Sequence, residues 1–182
     1  ALQFRRKLIR RLAVATKGPP FIHWRHATPH AHSTMPYHFI NAVWGRDYVD
    51  LFLNVSLPSQ LTAQNLGAFA DTSSRYRVYT APSDAQRIVD SRAHRAVTQL
   101  MPFDVVAVDQ LDKGGHKYAL MNFCHNHAIV TANESDAGLV VLSPDTVWSD
   151  GTFAAVKRHA EAGKRAVMMH APRLVREQVL PL

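Results

Sequence analysis

The amino-acid sequence predicts an α/β fold, a three-layer sandwich around a mostly parallel sheet, preceded by a basic tail. Three observations lead there. From Tyr37 onward, short apolar runs alternate about four times with segments of helical spacing. Glycine and proline fall at the boundaries between them, where the backbone must turn. And the formal net charge of +7 is concentrated at one end: residues 1–46 hold eight Lys or Arg and no Asp or Glu.

The elements follow in order. HFINAVWG, 38–45, is an apolar run ending in glycine and reads as a strand. In DYVDLFLNVSLPSQL, Tyr48, Leu51, Phe52 and Val55 stand at helical spacing, and Pro58 is expected to bend or end that helix. NLGAFADTSS is a connection. RYRVYTAP, 75–82, is a second strand stopped by Pro82, and Ser83 is placed to cap the helix SDAQRIVDS. FDVVAVDQ, 103–110, is a third strand. Lys113-Gly114-Gly115 then leads into the long helix KYALMNFCHNHAIVTANE. LVVLSPD is a fourth strand. TFAAVKRHAEAGK is a helix with Gly163 at its C-terminal end. KRAVMMH reads as a fifth strand and PRLVREQV as a last short helix.

These totals bound the function. At 182 residues the chain makes one α/β domain, 37–182, behind a basic, histidine-rich segment, 1–36. One cysteine, Cys124, excludes an internal disulfide framework and thiolate-rich zinc sites, and points to a reducing, cytoplasmic compartment. No run approaches the roughly 18 apolar residues of a membrane span. Residues 47–182 carry thirteen basic and fourteen acidic side chains, which weakens a nucleic-acid reading of the fold, and no nucleic-acid partner is expected.

The first 20 residues have an amphipathic pattern. Leu2, Phe4, Leu8, Ile9 and Leu12 share one side, basic residues supply the rest, and Gly18-Pro19-Pro20 ends it. Four readings stay open: a helix on an anionic membrane surface or protein partner, engaged through residues 1–25; a solvated leader or linker; a helix docked on the domain; and an organellar targeting segment. His23, His26, His30, His32 and His38 follow, at a spacing that fits no metal motif.

In open parallel sheets ligands bind beyond the carboxyl ends of the strands. That singles out Trp44-Gly45, Thr80-Ala81, Asp109-Gln110 and Ser143-Pro144-Asp145. Dinucleotide and phosphate-loop glycine motifs are absent, as is a nucleophile elbow. Cys124 beside Phe123 reads as a buried small hydrophobe, and His125 and His127 sit two apart on different helix faces. Asp145 and Asp150 are the best candidate catalytic pair. A carboxylate at a strand end can hold a divalent cation, Mg2+ or Mn2+, that bridges two phosphates. Set against that, Pro144-Asp145 is ordinary turn chemistry, and Ser149 or Asp150 could cap the helix starting near Thr152.

HFINAVWGRDYVDLFLNVSLPSQL and RYRVYTAPSDAQRI, followed by KYALMNFCHNHAIVTA and GLVVLSPDTVWSDGTF, resemble the bacterial glycosyltransferases of the nucleotide-diphospho-sugar (GT-A) superfamily. The resemblance covers roughly residues 37–175 and rests on element order and local phrases. It implies a sugar-nucleotide donor, a nucleotide pocket lined by Trp44, Gly45, Thr80 and Asp84, and a metal on Asp145 in the position of an Asp-x-Asp motif. Here the motif reads Ser143-Pro144-Asp145, with serine for one aspartate, and about thirty residues follow where the family has an acceptor-binding half. Two functions are therefore expected: transfer of a sugar from a nucleotide-diphosphate donor, or a non-catalytic interaction subunit on the same fold, docked through its basic segment.

Overall fold

The computed structural model describes residues 35–70, 73–112 and 116–172. The basic segment and its histidines up to His32, and most of the expected last helix, lie outside the described residues. Four parallel strands, β1 (Tyr37–Ala42), β2 (Arg75–Thr80), β3 (Phe103–Ala107) and β4 (Gly138–Leu142), form one sheet in the order β3-β2-β1-β4. Register is set by pairs such as Phe39 with Tyr76 and Val140, and Val78 with Val105.

The helices divide between the two faces. α1 (Arg46–Leu51), a π-helical turn (Phe52–Ser56), α2 (Leu57–Gln60) and a 3-10 helix (Leu66–Phe69) join β1 to β2. α3 (Pro82–Asp90) and α4 (Arg92–Thr98) join β2 to β3. All of these cover the first face, together with α7 (Thr152–Glu161), through one apolar cluster that includes Phe39, Phe52, Leu57, Phe69, Tyr76, Ile88, Val97 and Phe153. Phe39 is at its centre. Its ring lies 5.0 Å from Phe69, 5.5 Å from Phe153 and 6.4 Å from Tyr76. After the short α5 (Asp109–Asp112), α6 (Lys117–Glu134) crosses the second face. It turns Cys124, Ala128 and Ala132 inward, a four-residue repeat of small side chains that lets the helix lie close to the sheet. The C-terminal end of α6 leads into β4, where a side chain at Gly138 would meet the Tyr37 ring at 2.8 Å.

Several boundaries differ from the sequence reading for physical reasons. Pro58 neither ends nor sharply breaks its helix. Proline offers no N–H to the carbonyl four residues back and its ring crowds that carbonyl. The preceding turn is widened, with Leu57 N–H reaching the carbonyl of Phe52, five residues back. The buried side is Val49, Phe52, Leu53, Ser56, Leu57 and Gln60, whereas Tyr48 is exposed. Pro82 starts α3 because a proline fits the first helical turn, where no donor is needed. Ser91, not Ser83, provides a hydroxyl cap, accepting from His94 N–H at 3.0 Å at the start of α4. The expected fifth strand does not form: residues 164–172 belong to neither helix nor strand.

The second face carries a polar cluster beside α6. Arg75 and Arg77 both bond one oxygen of Asp104, at 3.2 and 3.3 Å, and Arg77 also donates to Thr131 on α6 at 2.7 Å. His38 is buried next to them. Burial, and then the Arg77 and Arg75 guanidiniums, hold its pKa down at about 4, against a smaller upward pull from Asp104. The sign follows directly. With a folded value below the ordinary one near 6.5, the unfolded chain takes up the proton first, so stability is fully present above about pH 6.5 and is lost as pH falls toward 4. Between pH 7 and pH 5 His38 is expected to account for about 2 kcal/mol of lost stability. His38→Leu, compared with the native chain in urea titrations at both pH values, should lose that much less on acidification. An equal loss in both proteins would show that His38 does not carry the effect.

Candidate functional site

The strand order points to a candidate site. The chain runs outward from β1 to β3, then returns to place β4 on the other side of β1. At such a reversal the carboxyl ends of neighbouring strands are the common place for a ligand. The connections at this reversal are Val43-Trp44-Gly45 after β1 and Ser143-Pro144-Asp145 after β4. Both connections turn to the first face, where the Ser56 hydroxyl reaches the Ser143 carbonyl and Trp148 N–H meets Ser59.

On the β1 side the backbone is fixed firmly. Val43 N–H donates to the Tyr79 carbonyl at 2.9 Å and extends the sheet by one residue. Gly45 takes φ +82°, ψ 141°, a conformation that side-chain-bearing residues avoid. Its N–H donates to Asp84 Oδ2 at 2.8 Å. Asp84 sits in the first turn of α3, where unpaired N–H groups favour a negative charge. The structure thus brings Gly45 and Asp84 together. Trp44 is half-buried against the second-face cluster that contains Ile40, Tyr79 and Cys124. Thr80 is fully buried, and its hydroxyl has no partner among the described residues, so it is not open to a ligand at the strand end.

On the β4 side the two aspartates go separate ways. Asp145 is exposed and accepts a hydrogen bond from the Ser143 hydroxyl. Asp150 accepts from the Thr62 hydroxyl at 2.6 Å, on the connection between α2 and the 3-10 helix. Neither Asp150 nor Ser149 caps α7 with its side chain; Gly151, in the left-handed region at φ +82°, occupies the cap position. The segment from Trp148 to Phe153 is a docked loop. Trp148 N–H donates to Ser59 Oγ at 3.0 Å, and its ring packs edge-on to Phe153 at 5.1 Å. Asn65 holds the loop with both ends of its amide: Nδ2 donates to the carbonyls of Ser59 and Ser149, each at 3.1 Å, and Oδ1 accepts from Phe153 N–H at 3.0 Å. No motif in the sequence marks Asn65. Its only signal is a polar residue directly before the apolar Leu-Gly-Ala-Phe turn.

A buried polar chain reaches the β4 connection. Tyr76 OH donates to Gln60 Oε1 at 2.9 Å, and Gln60 Nε2 donates to Ser56 Oγ at 3.3 Å. The Ser56 hydroxyl in turn reaches the Ser143 carbonyl at 3.4 Å. This ties the π-helical turn to the loop that carries Asp145. Burial raises the Tyr76 phenol well above its ordinary range, so it acts as a fixed hydrogen-bond donor and not as an acid.

The other titratable groups serve structure. Cys124 is buried and its thiol is pushed up to about 12, which removes it as a nucleophile. His127 Nδ1 lies 2.8 Å from the Tyr79 hydroxyl, with burial holding its pKa down. No group of three or more His, Cys, Asp or Glu side chains is placed to hold a metal ion among the described residues. An open cleft of about 460 Å³ lies between α1 and the α3–α4 junction, lined by Asp50, Asn54, Arg87, Asp90 and Arg92 among others. Arg87 and Asp50 are ion-paired there, and the lining includes none of the strand-end residues. No helix among the described residues is long and apolar enough to cross a membrane.

No protein-family profile matches the chain, and comparisons with curated proteins and with solved structures return no match. The α/β fold with a four-stranded parallel sheet is established by the coordinates alone.

Proposed function

We propose that the chain binds the nucleoside diphosphate portion of a sugar nucleotide at the ends of β1 and β4, as a glycosyltransferase-like protein. The observation that supports this reading is the β3-β2-β1-β4 order, which sets the Trp44-Gly45 and Ser143-Pro144-Asp145 connections next to each other at the carboxyl ends of β1 and β4, where the strand order reverses. Trp44, only half-buried, is the aromatic side chain nearest to hand for a base. Gly45, with no Cβ contact within 4 Å, allows close approach of the ligand to the backbone. Asp145, exposed at the end of β4, has the chemistry to share Mg2+ or Mn2+ with phosphate oxygens and water. Such an ion would neutralise a leaving diphosphate.

Binding without transfer is the second reading, favoured by the tie between Asp150 and Thr62, which commits the other candidate carboxylate to holding the loop. Melting temperatures with UDP, GDP and CDP, with and without Mn2+, test both. At a ligand concentration 100 times Kd, binding adds about 2.7 kcal/mol, or roughly 5–10 °C for a chain of this size. One nucleotide should give that rise, and Asp145→Ala should abolish its Mn2+-dependent part. A native chain that no nucleotide shifts would rule out these strand ends as a donor site. A shift with no release of sugar from the matching donor supports binding alone.

A further inference from the structure

Residues 164–172 carry the apolar, strand-like stretch Arg165-Ala166-Val167-Met168-Met169, and none of it enters the sheet. Met168 is 96% exposed and Met169 43%. Topology explains the failure. The path from β1 to β3 runs one way with its helices on the first face; the return to β4 brings α6 across the second face. A parallel fifth strand beside β4 would continue that return, so a right-handed connection would need α7 on the second face. α7 instead packs on the first face through Phe153, which Asn65 holds in place. From there, pairing with β4 of the same chain would close a left-handed crossover, a handedness found in only about 2% of such connections.

The acceptor for such a strand is present as well. Among the described residues the outer edge of β4 pairs with no strand. Its sequence, Gly-Leu-Val-Val-Leu, has no charge and no proline, the usual guards of a sheet edge, and Val141 is 51% exposed. We propose that residues 165–169 of one copy add as a strand to the free edge of β4 in a second copy, and that the exchange is reciprocal, giving a two-fold dimer. The second copy is the fitting occupant because the chain holds both halves of the contact. The handedness rule that bars the pairing within one chain does not act between two. Reciprocal exchange also closes the assembly and leaves no half of the contact unfilled.

Light scattering on the eluting full chain tests this up to ~100 µM, the range of weak interfaces. Twice the monomer mass is expected, falling to the monomer mass on dilution. Val141→Lys and Met168→Asp change exposed side chains, so each should keep the native melting temperature and circular dichroism while eluting as a monomer. Mixing the two variants should restore a dimer, because one intact segment then meets one intact edge. A wild-type chain that stays monomeric at the highest concentration overturns the proposal. So does a mixture that fails to recover the dimer, or a Met168→Asp variant that stays dimeric alone, the result expected if two β4 edges simply pair with each other.

Discussion

Truncating Phe39 to alanine is expected to destabilise the domain by about 3–5 kcal/mol. The ring is fully buried on the central strand and meets three other aromatic rings, from the 3-10 helix, β2 and α7. These elements come from widely separated parts of the sequence, so no single neighbour can move in to fill the space. The cavity cost should therefore add to the lost transfer free energy with little relief. A domain of this size is stable by roughly 5–15 kcal/mol, so the variant would sit near the limit of folding. Urea titration should show a lower midpoint with an unchanged slope. A loss below about 1 kcal/mol would mean that Phe39 is not the centre of this core.

Asn65→Ala is expected to cost about 3 kcal/mol, a large effect for a change that removes one polar side chain. It strips three hydrogen bonds and leaves a buried Phe153 N–H with no acceptor. Asn65→Asp separates the contributions. The carboxylate could still accept from Phe153, but it would face the carbonyls of Ser59 and Ser149 with no donor. Aspartate is therefore expected to rescue little, although it preserves size and shape. If Asn65→Asp melts with the native protein, the amide is not the clasp described above. Both variants should also weaken any ligand binding that depends on the Asp145 loop, since that loop leads straight into the segment Asn65 holds.

Much of the fold was legible because it is written in local terms. Four strands show as apolar runs at 38–45, 75–82, 103–110 and 139–145, and each one forms, ending two or three residues early. The expected span of the long helix coincides with α6, Lys117–Glu134. Gly163 follows the end of α7 at φ +81°, as a C-terminal glycine should. What the sequence concealed depends on distant partners. KRAVMMH has the local pattern of a strand, but the face on which α7 docks decides whether a partner edge is within reach. Nor does the pattern around Tyr48, Leu51 and Val55 foresee the extra residue absorbed by the π-helical turn. Strand-end logic singled out Gly45 and the resemblance singled out Asp84, and the two bond each other. Neither could foresee that Thr80 would be enclosed, or that Asp150 would be drawn to Thr62, because both depend on residues far along the chain. Asn65 was invisible for the same reason: its partners at Ser149 and Phe153 lie more than eighty residues away.

The central position of β1 has a consequence for how the chain is made. Of the described strands β1 is synthesised first, yet one of its two neighbours, β4, lies about a hundred residues downstream. At roughly 5–20 residues per second, ribosomes need about 5–20 s to cover that distance. Through that interval β1 can pair with β2 but keeps a bare edge, and Phe39 still lacks the Phe153 side of its packing. The nascent chain therefore spends seconds exposing an apolar strand edge that the finished protein buries. In that window it depends most on dilution, or on a chaperone's protection, to avoid pairing with the wrong strand.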